Sequence, residues 1–371
     1  MFGRLLVKGT MLMANIVVAS VLLITLLATF ISPNVFVIPA FATLLWPVTI
    51  VLNVFFVVFW LAARKWLFLI SLLLLLLSGN QVRAVFPFNF GETGEISNSE
   101  TIKVLSYNTM LFGFLKKHSA DEPNEIIDYI LKSDADIVCL QEFAVTVKKT
   151  GEYLSQYDIE RIFKKYPYKH IQYRVSDNWK KSGIATFSKF PIVNKENLSI
   201  EHEFGMTIST DIKIKDDTVR LYNNHLESNR LTENDRKLPM ELTDDFNSEK
   251  LTWITRLLSR KLFVAYKVRA GQADRLSEHM ALSPYKVLVC GDFNDVPSSY
   301  TYSKIKGKLD DAYTETGFGP GYTLNLSIYR FRIDYMFYQP DCFQPDELII
   351  DKVKYSDHYP ISVNYKIIEQ S

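Results

Sequence analysis

The sequence predicts a mixed α+β or layered α/β domain carried behind a helical membrane segment. Three observations predict it. Apolar runs fill the first 88 residues, where Arg4, Lys8, Arg64, Lys65 and Arg83 are the only charges. Beyond them, short β-rich runs alternate with helical patterns. Six short polar signatures then appear in fixed order, most of them after an apolar run: Ser-Tyr-Asn (106–108), Leu-Gln-Glu (140–142), Asn-His-Leu (224–226), Gly-Asp-Phe-Asn (291–294), Arg-Ile-Asp-Tyr (332–335) and Ser-Asp-His-Tyr-Pro (356–360).

The first apolar run, Met11 to Ile31, is interrupted only by Ala, Asn, Ser and Thr. Its roughly 20 residues suit a hydrocarbon core about 30 Å thick. A second extends from about Val35 to Ala63 and contains Pro39 and Pro47; spanning helices tolerate proline where neighbours satisfy the freed carbonyls. A third begins at Trp66 and includes Leu72 to Leu77. Its continuous part ends near Gly79, which is short for a span, so it must continue through Val82 and Val85 to about Phe86. A cleaved signal peptide fits poorly, because the first run is too long and two more follow.

Arg4 and Lys8 precede the first span, and Arg64 with Lys65 separates the second from the third. The positive-inside rule puts both groups in the cytoplasm. Three spans in an inner or plasma membrane then leave the rest extracytoplasmic; two would leave it cytoplasmic. The spans hold no acid, which argues against transport as the main task.

The expected boundaries are a membrane segment over 1–88, a polar linker over 89–100, and a catalytic domain over 101–371. All 41 acids and 37 of the 42 bases lie beyond residue 88. That part is close to neutral and does not advertise a polyanionic partner. Cys139 and Cys290 sit in apolar runs and read as buried thiols. Cys342 reads as part of a polar loop, and no disulfide framework is implied.

Strands are expected at Ile102–Tyr107, Ile137–Leu140, Ser182–Ser188, Ile208–Ile214, Thr218–Asn223, Val287–Cys290, Ile333–Tyr338 and Ile361–Tyr365. Glu122–Ser133 reads as a helix with Ile126, Ile127, Ile130 and Leu131 on one face. A long helix is expected from Ser248 to about Leu282. It carries Lys250, Arg256, Arg260, Lys261, Lys267 and Arg269 beside Trp253, Leu257, Leu258, Leu262 and Phe263. The preferred reading is a surface helix with its apolar stripe in the core; the other is a basic surface lying on anionic lipid.

The signatures supply chemistry suited to a divalent cation and a phosphate. Glu142 is a hard oxygen ligand of the kind Mg²⁺ takes, and Asn108 can add a neutral oxygen to the same ion or its water shell. Asp292 can orient or deprotonate water, and Asn294 can donate to a phosphoryl oxygen. Gly291 allows a tight turn. His358 can contact phosphate or take a proton, with Asp334 fixing its tautomer. Pro360 forces an extended approach at Tyr359. No His/Cys cluster has zinc spacing. His118, His170, His202 and His279 lack such companions and read as surface or structural groups.

At these residues the chain resembles the endonuclease/exonuclease/phosphatase superfamily, over about 100–367. The resemblance implies a four-layer sandwich, two mixed β-sheets flanked by helices, with the active site at one edge of the sheets. It implies metal-site roles for Asn108 and Glu142, with Asp357 next to them. His225 would stabilise the transition state or act as general acid. Asp292 and Asn294 would align water and phosphate, and Asp334 would partner His358. Mg²⁺ is the implied cofactor, with Mn²⁺ able to substitute. In-line attack of water on a phosphodiester or phosphomonoester follows. The expected partners are the lipid bilayer and a nucleic acid or phospholipid headgroup; nothing points to a protein partner. A catalytically inactive member binding lipid or a partner is the alternative, disfavoured by the intact motif set. The stretch at about 232–268 lies outside the shared motifs.

Overall fold

The computed structural model describes residues 2–89, 101–118, 122–149, 151–199, 205–232, 234–235, 237–238, 247–326 and 330–368. Apart from Asn89, the expected linker lies outside the described residues, as do His202 and part of 232–268. The chain divides into two compact units. One comprises Met1–Val85, Asn229–Ala273 and Val296–Ile305; the other comprises Phe86–Ser228, Asp274–Asp295 and Lys306–Ser371.

The first unit holds helices α1 (Phe2–Leu27), α2 (Ile38–Ala42), α3 (Trp46–Ala62), α4 (Phe68–Leu77) and α5 (Gly79–Val85), with one 3₁₀ turn joining α2 to α3. Val7–Leu27 and Ile38–Ala62 are each long and apolar enough to cross a membrane. The third expected span is a pair of helices, α4 and α5, bent by 59°. The bend falls at Ser78–Gly79, where Ser78 turns its hydroxyl back to the Leu74 carbonyl at 2.6 Å. Such back-bonding competes with the helix ladder.

Two tiers of buried polar contacts tie these helices together. In one, Asn15 donates to Ser71 Oγ at 2.7 Å and accepts from Trp60 Nε1 at 3.0 Å. In the other, Gln81 accepts from Trp46 Nε1 at 2.8 Å and donates to the Thr25 carbonyl at 3.2 Å. Asn15 and Thr25 are ten residues apart, as are Ser71 and Gln81. At 1.5 Å per residue the tiers are about 15 Å apart along α1. The bent pair therefore advances alongside α1 in the same direction.

The long helix runs over Ser248–Ala281, as expected, and its first part belongs to this unit. Tyr266 meets Phe41 of α2 edge to face, with ring centroids 5.3 Å apart. Ile254, Ala265, Tyr266, Arg269 and Ala270 are buried, yet Trp253 is 55 % exposed. The apolar stripe is thus only partly absorbed by a core.

The second unit contains two six-stranded mixed sheets with helices beside them. Its strands are β1 (Thr101–Asn108), β2 (Ile137–Thr146), β3 (Tyr168–Ser176), β4 (Lys180–Ser188), β5 (Ile192–Asn197), β6 (Met206–Ile214), β7 (Asp217–His225), β8 (Lys286–Asp292), β9 (Asp310–Asp311), β10 (Asp334–Tyr338), β11 (Phe343–Ile350) and β12 (Ile361–Ile367). The sheet orders are β11-β12-β1-β2-β4-β3 and β5-β6-β7-β8-β10-β9. Each sheet is built around one parallel pair, β1 with β2 and β7 with β8.

Period-two alternation sets the layers. Ile102, Val104, Ile137 and Cys139 share one buried cluster with Ile212, Val219, Leu221, Leu288, Cys290 and Met336 of the other sheet. Leu105, Tyr107, Val138 and Leu140 point the other way, toward Ile126, Ile127 and Ile130. Each fully buried aliphatic side chain contributes about 1.5–3 kcal/mol.

Several expectations change in detail. Helix α6 is Glu125–Ser133, starting three residues later than expected, because Asn124 caps it by accepting from Ile126 N and Ile127 N. Strand β2 does not stop before Glu142. It continues to Thr146 through an irregularity between Leu140 and Phe143. Cys342 is buried within the inter-sheet cluster. Gly291 lies inside β8 with φ 126°, and a Cβ there would stand 2.0 Å from the Asn224 carbonyl oxygen. Close approach of the parallel neighbour, not a tight turn, demands the glycine.

Candidate active site

Strand direction gathers the signatures at one edge. Asn108, His225 and Asp292 are the last residues of β1, β7 and β8. β12 runs antiparallel to β1, and β10 antiparallel to β8, so residues at their beginnings reach the same edge. Asp334 opens β10 opposite Asp292, and His358 precedes β12.

Seven predicted residues form one connected group. Asn108 Nδ2 donates to Asp292 Oδ2 at 3.0 Å and lies 3.5 Å from Glu142 Oε1. His225 Nε2 is 3.7 Å from both Glu142 Oε1 and Asp292 Oδ2. Asn294 donates its backbone N–H to Asp292 Oδ1 at 2.8 Å and its amide to Leu226 O at 3.0 Å. His358 Nδ1 bonds Asp334 Oδ2 at 2.9 Å, while its Nε2 is 3.7 Å from Asp292 Oδ2. Asp357 lies beside this group, half-buried, with Ser356 Oγ at 3.4 Å from its Oδ1.

The group divides by burial. The side chains of Asp292, Asp334 and His358 are 1 %, 3 % and 6 % exposed, against 34 % for Glu142. Burial pushes the Asp292 carboxyl up to about 6, against the pull of His358. Burial also opposes an imidazolium at His358, but Asp334 and Asp292 outweigh it and hold His358 well above its ordinary value.

Backbone strain positions two of the members. Glu142 (φ 50°) and Asn294 (φ 53°) are left-handed, a conformation costing about 1–2 kcal/mol for a residue with a side chain. Thr109 steadies the first by donating to the Glu142 carbonyl at 2.9 Å. The chain leaving Asn108 stays left-handed from Met110 to Leu115.

Other supports went unassigned from sequence. Thr323 Oγ1 accepts from both Ile333 N and Asp334 N at 3.1 Å, fixing the start of β10. Ser356 Oγ donates to the Asn108 carbonyl at 2.8 Å. Below the site, Gln141 of one sheet donates to Asn223 Oδ1 of the other at 2.8 Å, and Asn223 donates back to Ala185 O at 3.0 Å. Ser356 and Gln141 stand inside the signatures, which is the signal that could have found them; Thr323 carries no sequence signal. Arg332 pairs with Asp311 at 2.6 Å between the rings of Tyr313 and Tyr335, a structural role. His118, His170 and His279 bond elsewhere, to Asn124 N, Thr210 and Tyr222.

Two arrangements offer ligands to a cation. Asp292, Asp334 and His358 present ligand atoms within 4.8 Å of one another. Glu142 presents an open carboxylate beside Asn108. The first set mixes carboxylates with an imidazole; the Glu142 carboxylate is a hard oxygen donor of the kind a hard divalent ion takes. Asn108 Oδ1 accepts from Met110 N at 3.1 Å, so its amide turns N–H, not oxygen, toward the carboxylates.

A model of the Endonuclease/Exonuclease/phosphatase family matches residues 105–358. A second, for a domain of unknown function (DUF8431), matches residues 8–85. No curated protein matches. Among solved structures, the human Nocturnin catalytic domain with bound sulfate is 17 % identical, with a TM-score of 0.48, 72 % of this chain and 95 % of that one covered. An endonuclease/exonuclease/phosphatase from Beutenbergia cavernae is 15 % identical, with a TM-score of 0.48 and 72 % of each chain covered. TDP2 of D. rerio, complexed with a single-strand DNA product, is 13 % identical, with a TM-score of 0.43, 72 % of this chain and 99 % of that one covered.

Proposed function

Because the chain belongs to the endonuclease/exonuclease/phosphatase family, whose members are phosphoester hydrolases using divalent metals, we propose that it is a membrane-tethered, Mg²⁺-dependent phosphoesterase. The observation that carries this reading is the nearly buried run Asp334–His358–Asp292 beside the open carboxylate of Glu142. A phosphate needs both, a fixed proton-bearing group and a place for a cation.

In the proposed reaction, Asp292 takes a proton from water as the water oxygen attacks phosphorus. Its carboxyl, pushed up to about 6, is a stronger base than an ordinary carboxylate. His358, with Asp334 holding Nδ1, directs Nε2–H at a phosphoryl oxygen. The bond from phosphorus to the leaving oxygen breaks, and His225 supplies that oxygen with a proton. Asn294 holds Asp292 in place through its backbone N–H and its amide. Glu142, with Asp357 as the proposed further carboxylate, would hold Mg²⁺, whose charge offsets that developing on the phosphoryl oxygens, while the Asn108 N–H fixes the Asp292 and Glu142 carboxylates.

The tiers between the first helices support the topology in which the bent pair is a third span. Its Gln81 reaches the level of Thr25, near the end of α1 away from Lys8. In the proposed three-span topology the chain leaves the membrane near residue 86 on the extracytoplasmic side, and the catalytic domain is proposed to lie there.

The test is turnover by the full chain in detergent, with Mg²⁺ or with chelator, of plasmid DNA, RNA, sphingomyelin and inositol phosphates. Cleavage of one class that stops on chelation, and in His358→Ala, supports the reading. No turnover of any of them by a folded, metal-loaded protein would instead favour a catalytically inactive binding member.

A further inference from the structure

The first part of the long helix carries a face that neither the fold nor the proposed reaction uses. Trp253, Arg256, Arg260, Phe263 and Lys267 recur at intervals of three and four residues, so they form one stripe. Trp253 is 55 % and Phe263 41 % exposed, and neighbouring Val264 is 40 % exposed. The buried residues Ala265, Arg269, Gln272 and Leu276 occupy the opposite side. From Lys250 to Ala273 there are six bases and no acid. Lys261 is taken by Asp235, and Lys267 lies over the Phe263 ring at 4.9 Å. A face turned to water ordinarily mixes both signs of charge and omits large aromatics.

The height of this stripe is set by Tyr266, whose ring meets Phe41. Phe41 stands in the opening turns of the second candidate span, Ile38–Ala62. The connection leading into that span exposes Phe30, Val35, Phe36 and Ile38. Tyr266 is thus fastened where a span meets the headgroup layer. Aromatic rings collect at that depth, and Lys or Arg stems reach from it toward phosphates.

We propose that Lys250–Lys267 is an interfacial helix lying in the headgroup layer of the bilayer crossed by the spans, with Trp253, Phe263 and Val264 immersed and Arg256 and Arg260 on anionic phospholipid phosphates. This rests on the membrane-tethered reading above and adds to it a lipid-contacting surface. The surface favours phospholipid bearing net negative charge.

The experiment uses the full chain in vesicles of phosphatidylcholine with phosphatidylglycerol. A nitroxide is attached at Trp253→Cys or Phe263→Cys; all three native cysteines are buried and compete poorly for the label. Labels at Ile16→Cys in the first span and at Tyr157→Cys, 67 % exposed in the second unit, serve as lipid and water references. The expected result is collision with dissolved oxygen, and protection from a water-soluble nickel chelate, at 253 and 263, as at 16. Nickel collision at 253 and 263 matching that at 157 overturns the proposal. Should position 16 also collide with nickel, the tethered reading fails instead. In Arg256→Gln/Arg260→Gln, omitting phosphatidylglycerol should no longer change collision at 253, whereas the unsubstituted helix should rise toward water. An undiminished lipid response in the double variant would overturn the role of the two arginines.

Discussion

The two flanks of the site are built to different degrees of completion. On one, Asp334, His358 and Asp292 are almost wholly buried; Asp334 bonds His358, and Asn108 and Asn294 donate to Asp292. On the other, Glu142 is one-third open and strained, with the Asn108 amide and the His225 imidazole near its carboxylate. The first flank is enclosed by protein. The second is a carboxylate held ready at some conformational cost, which is how a site looks when its remaining partner comes from solution.

The sharpest test of that contrast is a pair of substitutions. His358→Ala and Glu142→Gln should each lower turnover by about 10³-fold or more. Only Glu142→Gln should raise the Mg²⁺ concentration needed for half-maximal rate. If both variants shift the metal requirement equally, the flanks are not separable. Asp334→Asn should lower turnover about 10²-fold by freeing the imidazole tautomer; a rate like that of the native chain would remove Asp334 from the proton path.

A pH profile probes the buried flank directly. Asp292, raised from 3.8 to about 6, must be ionised to accept a proton, so log rate should climb with pH and level off above about 6. The folded chain prefers this carboxyl protonated, so metal-free stability should decline as pH rises from about 4 toward 6. A rate independent of pH from 5 to 7 would mean that another group limits proton transfer.

Smaller effects concern the frame. Gly291→Ala should cost about 2–4 kcal/mol, because a Cβ would overlap the Asn224 carbonyl and sit at unfavourable φ. Chemical denaturation measures this, and a cost under about 1 kcal/mol would show that β7 can retreat. Asn15→Leu should cost about 1 kcal/mol in micelles through loss of its bonds to Ser71 and Trp60.

What could be read in advance follows strand position. Eight strands were expected from sequence, and all are present in the sheets. The four that were missed, β3, β5, β9 and β11, are the four sheet edges. A central strand is buried on both faces and declares itself as an apolar run. An edge such as Ile192–Asn197, half-exposed and containing Asn194, Lys195 and Glu196, does not. The site was legible in residue types, because metal and phosphate chemistry restricts them. Its supports were less so. The left-handed turn at Glu142 and the hydroxyl of Thr323 depend on neighbours distant in sequence. The bend in the third apolar run was foreshadowed by its early end at Gly79, yet its angle comes from packing.

The paired tiers in the first unit act together as an index. Sliding α4 and α5 along α1 by one helical turn, about 5.4 Å, would strip Asn15 of Ser71 and Thr25 of Gln81 at the same moment, leaving polar groups unpaired among apolar side chains. The helical bundle therefore has one seating rather than a continuum of them. Under load these helices should move as a block before they shear.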